Sequence, residues 1–276
     1  MVRGHARRYT SSSERISRLA FIGQGQKDIM KNLQRYLQDV ANARRQELLP
    51  YVFHATSAKV QTGPFKGITL IPRYMWGDGD TAAKLMGVYE DELHGFVEQA
   101  IVKNPDLVIN VGCAEGYYSV GLASRLPNSQ VLAVDIEPRS ADIVKDTATA
   151  NQLKNLQAVT KTVDHAWLEQ HCKDAVNPLL VFDCEGAELE LLDPAQVQSL
   201  SKCSVMVECH DCMGLPITPT LLSRFKDTHD IQSVSQTYKD SYQFEFLHHL
   251  SDCDKWALVH EGRPSTMSWL YMVPKQ

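Results

Sequence analysis

Leu107-Val108-Ile109-Asn110-Val111-Gly112-Cys113-Ala114-Glu115-Gly116-Tyr117-Tyr118-Ser119 is the stretch that decides how this chain folds. Leu107 to Val111 is a short strand-forming run, two glycines follow, and a helical pattern from Tyr118 to Arg125 begins at once. A strand that turns tightly into a helix is the opening unit of a parallel sheet, and the glycines let the backbone approach a ligand at the turn. The spacing is G-x-x-x-G. It lacks the G-x-G-x-x-G of dinucleotide sites, which argues against a dehydrogenase loop cradling a pyrophosphate.

Outward from that stretch the same texture repeats. Val131 to Val134, Gln157 to Val163, Leu179 to Phe182 and Ser204 to Val207 read as buried strands. Ala141 to Asn151, Ala187 to Leu192 and Thr218 to His229 lie between or after them as crossover helices, which predicts a doubly wound α/β fold. A strand over Ile231 to Thr237, a helix near Tyr242 to Leu250 and a last strand over Ser268 to Val273 complete it. Upstream, Ile29, Leu33, Tyr36, Leu37 and Val40 recur at helical spacing, so Ile29 to Leu49 reads as an amphipathic helix stopped by Pro50. Gly63 to Gly67 reads as a turn and Ile68 to Ile71 as a short apolar run. Residues 1–84 are therefore expected to form a small helical N-terminal cap segment and residues 85–276 the main domain.

Composition narrows the function classes. The chain has 276 residues, 43% of them hydrophobic, and 28 Lys and Arg against 33 Asp and Glu give a net charge of −5, which argues against nucleic acid as a partner. No run approaches the roughly 18 apolar residues that span a bilayer. The first twenty residues carry five arginines, three consecutive serines and one acid, Glu14, a mixture that resembles an organelle transit peptide or a fraying helical end. Seven cysteines, an odd number scattered through strand-like runs, suit reduced thiols and a cytoplasmic location.

In an open α/β sheet, ligands bind outside the carboxyl ends of the strands. Asp135, with Ile136 beside it, ends the second strand about twenty residues past the glycine loop, where a carboxylate can accept from both ribose hydroxyls. Asp164 ends the third and suits either an adenine amino group or a helix cap. The fourth delivers Asp183-Cys184-Glu185-Gly186-Ala187-Glu188 from an apolar run, and acids leaving such a run must be hydrogen-bonded, metal-bound or catalytic. Glu188 also suits the acid favoured in a first helical turn. The fifth runs into Glu208-Cys209-His210-Asp211-Cys212, where a proton could be moved.

Together these residues resemble the FkbM-type methyltransferases, a branch of the class I S-adenosylmethionine-dependent enzymes. The carriers are Val108 to Ser119, Asp183 to Glu188 as a D-x-E-G-x-E signature, and Glu208 ending the next strand. The resemblance covers roughly Leu85 to Val273. It implies a Rossmann-like sheet of seven strands with the last antiparallel, bound S-adenosyl-L-methionine, and O-methylation of a hydroxyl on a sugar or other small molecule. Asn110 and Cys113 depart from the family pattern. The cofactor residues so implied are Asn110, Gly112, Ala114, Glu115, Gly116, Tyr117, Asp135, Ile136, Asp164 and Asp183.

Methyl transfer from a sulfonium needs an aligned acceptor and the removal of its proton. His210 is the first candidate base because imidazole titrates near neutrality; Asp183 is the second, and Glu208 completes the catalytic set. His210 also suits a histidine satisfied by backbone. A Mg²⁺ ion held by Asp183, Glu208 and Asp211 is an alternative route to an ionised acceptor, whereas zinc on Cys209 and Cys212 lacks two further ligands. Tyr117 and Tyr118 suit either a ring beside the sulfonium or packing of helix on sheet. Arg263 reads as a substrate contact or a structural arginine in a surface turn, and Trp76 and Tyr89 are expected to roof the acceptor pocket. Competing functions are N- or carboxyl-methyl transfer, a nicotinamide-dependent oxidoreductase and a binding protein of the same fold without turnover.

Overall fold

A computed structural model describes residues 24–275. The transit-peptide-like composition of the first twenty residues lies outside the described residues. Among those described, no helix is long and apolar enough to cross a membrane.

The chain divides into two units, Met1–Ala43 and Arg44–Gln276. In the first, helix α1 (Gln24–Thr56) begins, and Leu33, Tyr36, Leu37 and Val40 of its apolar stripe are exposed. In the second, α1 continues through Pro50 to Thr56, so the proline is not the expected stop. One backbone donor is lost there, while Leu48, Leu49 and Val52 on the same turns are buried with Val60, Phe65, Leu85 and Val120. The run Ile68 to Ile71 forms no strand; Thr69 makes a single bridge to Lys59.

The rest of the second unit is the expected doubly wound sheet. Seven strands, β1 (Leu107–Val111), β2 (Gln130–Asp135), β3 (Leu156–Thr160), β4 (Leu179–Phe182), β5 (Ser204–Cys209), β6 (His229–Ser235) and β7 (Ser268–Pro274), lie in the order β3-β2-β1-β4-β5-β7-β6. β7 pairs antiparallel with β5 and with β6, as the resemblance implied, while β1 to β5 are parallel. Helices α2 (Thr81–Met86), α3 (His94–Val102), α4 (Tyr117–Arg125), α5 (Pro138–Ala150), α6 (His165–Cys172), α7 (Glu188–Leu191), α8 (Ile217–Phe225) and α9 (Asp252–Val259) surround it.

Pleating alternates side chains between faces, so each central strand feeds two cores. Val108, Val131, Leu179, Val181, Met206, Trp269 and Tyr271 join one, and Ile109, Leu132, Leu180, Phe182, Val205, Val207 and Leu270 join the other. β1 has β2 on one side and β4 on the other, so the chain winds in opposite directions from its carboxyl end and a crevice opens there. Several expected elements differ: α8 ends at Phe225, short of the expected His229, and β6 begins at His229, two residues before Ile231. β3 stops at Thr160, three residues short of Val163, and the helix expected over Tyr242 to Leu250 is replaced by one 3₁₀ turn at Glu245–Leu247 followed by α9. Ser251 sets the start of α9, its hydroxyl accepting from Asp254 N at 3.2 Å, a cap the apolar pattern did not weigh.

Candidate active site

The carboxyl end of β1 is held in one conformation by its neighbours. Gly112 N and Cys113 N both donate to Val134 O, at 2.9 and 3.1 Å, which ties the glycine loop to the end of β2. Gly112 has φ +77°, and a Cβ there would lie 1.7 Å from Asp183 O, so no side chain fits between the loop and β4. Gly116 starts α4 in the left-handed region, with Val144 Cγ2 2.8 Å from where a Cβ would sit.

Asp135 completes the loop. Its Oδ2 accepts from Ala114 N and its Oδ1 from Glu137 N, each at 3.0 Å. A carboxylate offers about four lone-pair sites, so two remain for a ligand. Behind the loop lies a cavity of about 400 Å³ lined by Gly112, Ala114, Asp135, Ile136, Asp183 and Glu185, with Trp76 from the segment before the sheet and Val163 past β3 among the other walls.

The remaining expected cofactor residues lie elsewhere. Asn110 is buried, accepting from Ser119 Oγ at 2.8 Å and donating to Val181 O at 3.4 Å, so it locks α4 onto β1 and β4. Glu115 turns toward the N-terminal segment, where its Oε1 accepts from Met75 N at 2.6 Å and its Oε2 pairs with Lys84 Nζ at 3.3 Å. Tyr117 is packed edge-on against Phe65, Tyr89 and Tyr118, the packing alternative for that ring. Asp164 caps α6, accepting from Trp167 N at 2.7 Å. Gly116 N donates to Cys113 O at 2.7 Å, closing the turn from the loop into α4.

At the ends of β4 and β5 the three expected catalytic residues come together. His210, at the end of β5, places Nε2 3.6 Å from Asp183 Oδ1, 3.5 Å from Glu185 Oε2 and 4.0 Å from Glu208 Oε2. Its Nδ1 lies 3.0 Å from Glu188 Oε1. Glu188 is fully buried and also accepts from Cys184 N and Gly186 N, both at 2.8 Å. It therefore does more than sit in a first turn: it folds the D-x-E-G-x-E loop back on itself and fixes the imidazole. The spacing of the signature was the available signal, with Glu188 two residues past the glycine it binds.

A second ionic layer lies beneath. Arg263 binds Glu208 with one guanidinium nitrogen and Glu90 with the other, and its Nε lies 3.3 Å from Glu261 Oε2. Tyr118 OH donates to Glu90 Oε2 at 2.5 Å. Arg263 is thus the structural arginine of the two alternatives. Glu90 carried no signal beyond its place in an acidic stretch.

Electrostatics divide these groups by role. Burial works against a charged His210, but the hydrogen bond and charge of Glu188, joined by Asp183 and Glu185, hold the imidazole pKa above its usual value. Burial also opposes ionisation of Glu188, yet the same hydrogen bond and two backbone donors keep its pKa below the ordinary carboxylate range. Asp183 and Glu208 are both pushed up: burial acts first on each, the charge of Glu90 adds to it and Arg263 opposes it, while the contact between the two carboxyls raises Glu208 further and its hydrogen bond holds Asp183 lower. Glu90, Glu208 and Glu261 share the guanidinium and Asp183 lies within its field; Lys239 offsets Glu261, so Glu90, Asp183 and Glu208 are left with one cation among them and a proton stays on the Asp183–Glu208 pair near neutrality. Asp183, with 37% of its side chain solvent-accessible, is the member that lines the cavity.

The trio Asp183, Glu208 and Asp211 expected for Mg²⁺ is not brought together. Asp211 accepts from Thr218 N at 3.1 Å and from its hydroxyl, capping α8. Among the described residues, the groups close enough to share an ion are Asp183–Glu185–His210 and Glu90–Asp183–Glu208, and no cysteine belongs to either.

A family model described as "Putative methyltransferase" matches residues 104–175, from just before β1 to just past α6. No curated protein matches the chain. Among solved structures, the chain is similar to a ribosomal protein L11 methylase from Lactobacillus delbrueckii subsp. bulgaricus, at 17% identity over 76% of this chain and 86% of that one, TM-score 0.44. An O-methyltransferase from Bacillus cereus in complex with SAH aligns at 11% identity over 88% and 97%, TM-score 0.43. A precorrin-6y C5,15-methyltransferase from Geobacter metallireducens GS-15 aligns at 8% identity over 66% and 88%, TM-score 0.42. At these identities and scores, the likenesses assign no residue role in this chain.

Proposed function

We propose that this chain binds S-adenosylmethionine at the carboxyl ends of β1, β2 and β4 and transfers its methyl group to a hydroxyl of a small molecule or sugar. The observation that carries the reading is the convergence of Gly112, Asp135, Ile136 and Asp183 on one cavity. The two free lone-pair sites of Asp135 suit the two ribose hydroxyls. Ile136, exposed beside it, suits the face of a flat base. The carboxylates of Asp135, Glu137, Asp183 and Glu185 in the lining offer acceptors to hydroxyls and repel a pyrophosphate, which fits a nucleoside without one. The family match over residues 104–175 supports the same class.

The bound cofactor supplies an electrophilic methyl group on a sulfonium; alignment and proton removal fall to this chain. Asp183 takes the acceptor proton in this reading, since it faces the cavity while His210 sits behind it. Glu208 keeps the proton of the pair and donates it toward Asp183, which leaves Asp183 as the ionised partner. His210, fixed by Glu188, directs its other nitrogen at Asp183 and balances that charge. The order of the two expected bases is thereby exchanged.

The test is ligand-induced stabilisation. S-adenosylhomocysteine at about 100 times its dissociation constant adds about 2.7 kcal/mol, which raises the melting temperature by roughly 5–10 °C in a domain of this size. NADH leaves it unchanged. A melting temperature indifferent to S-adenosylhomocysteine, with no heat of binding in calorimetry, rejects the reading.

A further inference from the structure

We propose that Trp76 is the wall of the nucleoside site that the sheet does not supply, and that Glu115 sets it in place. The inference rests on the reading of the cavity given above and adds a residue to it. Every other residue lining the cavity comes from β1 or a later element; Trp76 alone comes from before the sheet. Among the described lining residues, Trp76 and Ile136 are the exposed large apolar side chains, at 63% and 65% of their free area. A surface indole costs hydration free energy unless something covers it, and a flat heterocycle is the partner whose shape and polarisability suit it.

The turn that carries Trp76 is pinned on both sides. Before it, Met75 N donates to Glu115 Oε1 at 2.6 Å. Within it, Gly79 N donates to Trp76 O at 2.8 Å, and a Cβ on Gly79 would lie 2.7 Å from Glu115 Oε1, so glycine there lets Glu115 reach the turn. Beyond it, Asp78 pairs with Arg45 Nε at 2.9 Å, both side chains buried, and Thr81 Oγ1 donates to Asp78 O at 2.6 Å. The indole faces the cavity while its backbone is fixed, the arrangement of a preformed stacking platform. Glu115 belongs to the same loop as Gly112 and Ala114, so one loop shapes the floor of the site and holds the turn that closes it.

Trp76 thereby becomes a binding residue and Glu115 a positioning residue. The experiment measures dissociation constants of S-adenosylhomocysteine and 5′-methylthioadenosine, which share the nucleoside and differ at the amino-acid end. Trp76→Ala weakens both by about tenfold, the scale of losing one base–aromatic stack, while Trp76→Phe stays near the wild type. Glu115→Ala weakens both in the same direction, and Glu115→Gln, which keeps an acceptor for Met75 N, restores them. Ligand addition quenches indole emission in the wild type, and Trp76→Phe abolishes that part of the signal. Trp76 is exposed, so its variants fold, and unchanged melting temperatures without ligand confirm it.

Unaltered affinity for S-adenosylhomocysteine in Trp76→Ala overturns the proposal. So does weakened S-adenosylhomocysteine with unaltered 5′-methylthioadenosine, which moves Trp76 to the amino-acid end. A wild type that binds neither compound overturns the reading of the cavity and the proposal with it.

Discussion

Asp183→Asn lowers methyl transfer by about 10²–10⁴-fold, the usual contribution of a positioned base. The amide keeps the size and polarity of the carboxylate but takes no proton. The readout is transfer of a radiolabelled methyl group from S-adenosylmethionine to any hydroxylated acceptor on which the wild type is active. His210→Ala gives a smaller loss, because it removes a charge behind Asp183 and leaves the proton acceptor in place. The pH profile separates the two residues further. Asp183 has a raised pKa, so wild-type activity falls on acidification starting closer to neutrality than for an ordinary carboxylate. Asp183→Asn loses that limb of the profile. Turnover at the wild-type level in Asp183→Asn, with the acid limb intact, would exclude Asp183 and return His210 to the leading place.

Arg263→Met destabilises the fold by about 3–5 kcal/mol, the cost of leaving buried carboxylates without their cation. For a domain of this size that is a fall of roughly 10 °C in melting temperature. The guanidinium is 14% exposed and is shared by Glu90, Glu208 and Glu261, whose side chains are nearly inaccessible. Methionine fills much of the same space, so lost charge and not a cavity dominates. The loss depends on pH with a definite sign. Without Arg263, the carboxyls keep protons in the folded state that the unfolded chain gives up in the ordinary carboxylate range. The folded state then binds more protons, and stability declines as pH rises above that range. Near pH 4 the variant approaches the wild type; at pH 8 the gap is widest. Adding Glu90→Gln to Arg263→Met recovers part of the loss, because one unpaired acid is removed. Equal melting temperatures for wild type and Arg263→Met at pH 8 would mean that the cluster is neutralised in some other way.

The elements of the sheet were legible because a buried parallel strand leaves a compact apolar run and a following helix leaves a period. β1, β2, β4, β5 and β7 all fall within two residues of their expected bounds. Pro50 and Ser251 mark where local patterns misled. A proline's missing donor is a local cost that buried neighbours on the same helix outweighed, and a serine cap weighs little in an apolar pattern although it sets where α9 begins.

The sequence by itself determined the sheet, the glycine loop and the acids at the strand ends, because periodicity and turn chemistry are written in neighbouring residues. Only the tertiary structure decided which of those acids meet. Glu90 and Arg263 are 173 positions apart, and Glu115 reaches Met75 from forty residues away. Such contacts depend on how separate segments pack, and packing fixes the burial and the neighbouring charges that set each group's proton affinity. Asp135, Asp183, Asp211 and Asp164 carry the same side chain near the same edge of the sheet. Their surroundings make one a loop anchor facing the cavity, one a member of a proton-sharing pair and two of them helix caps.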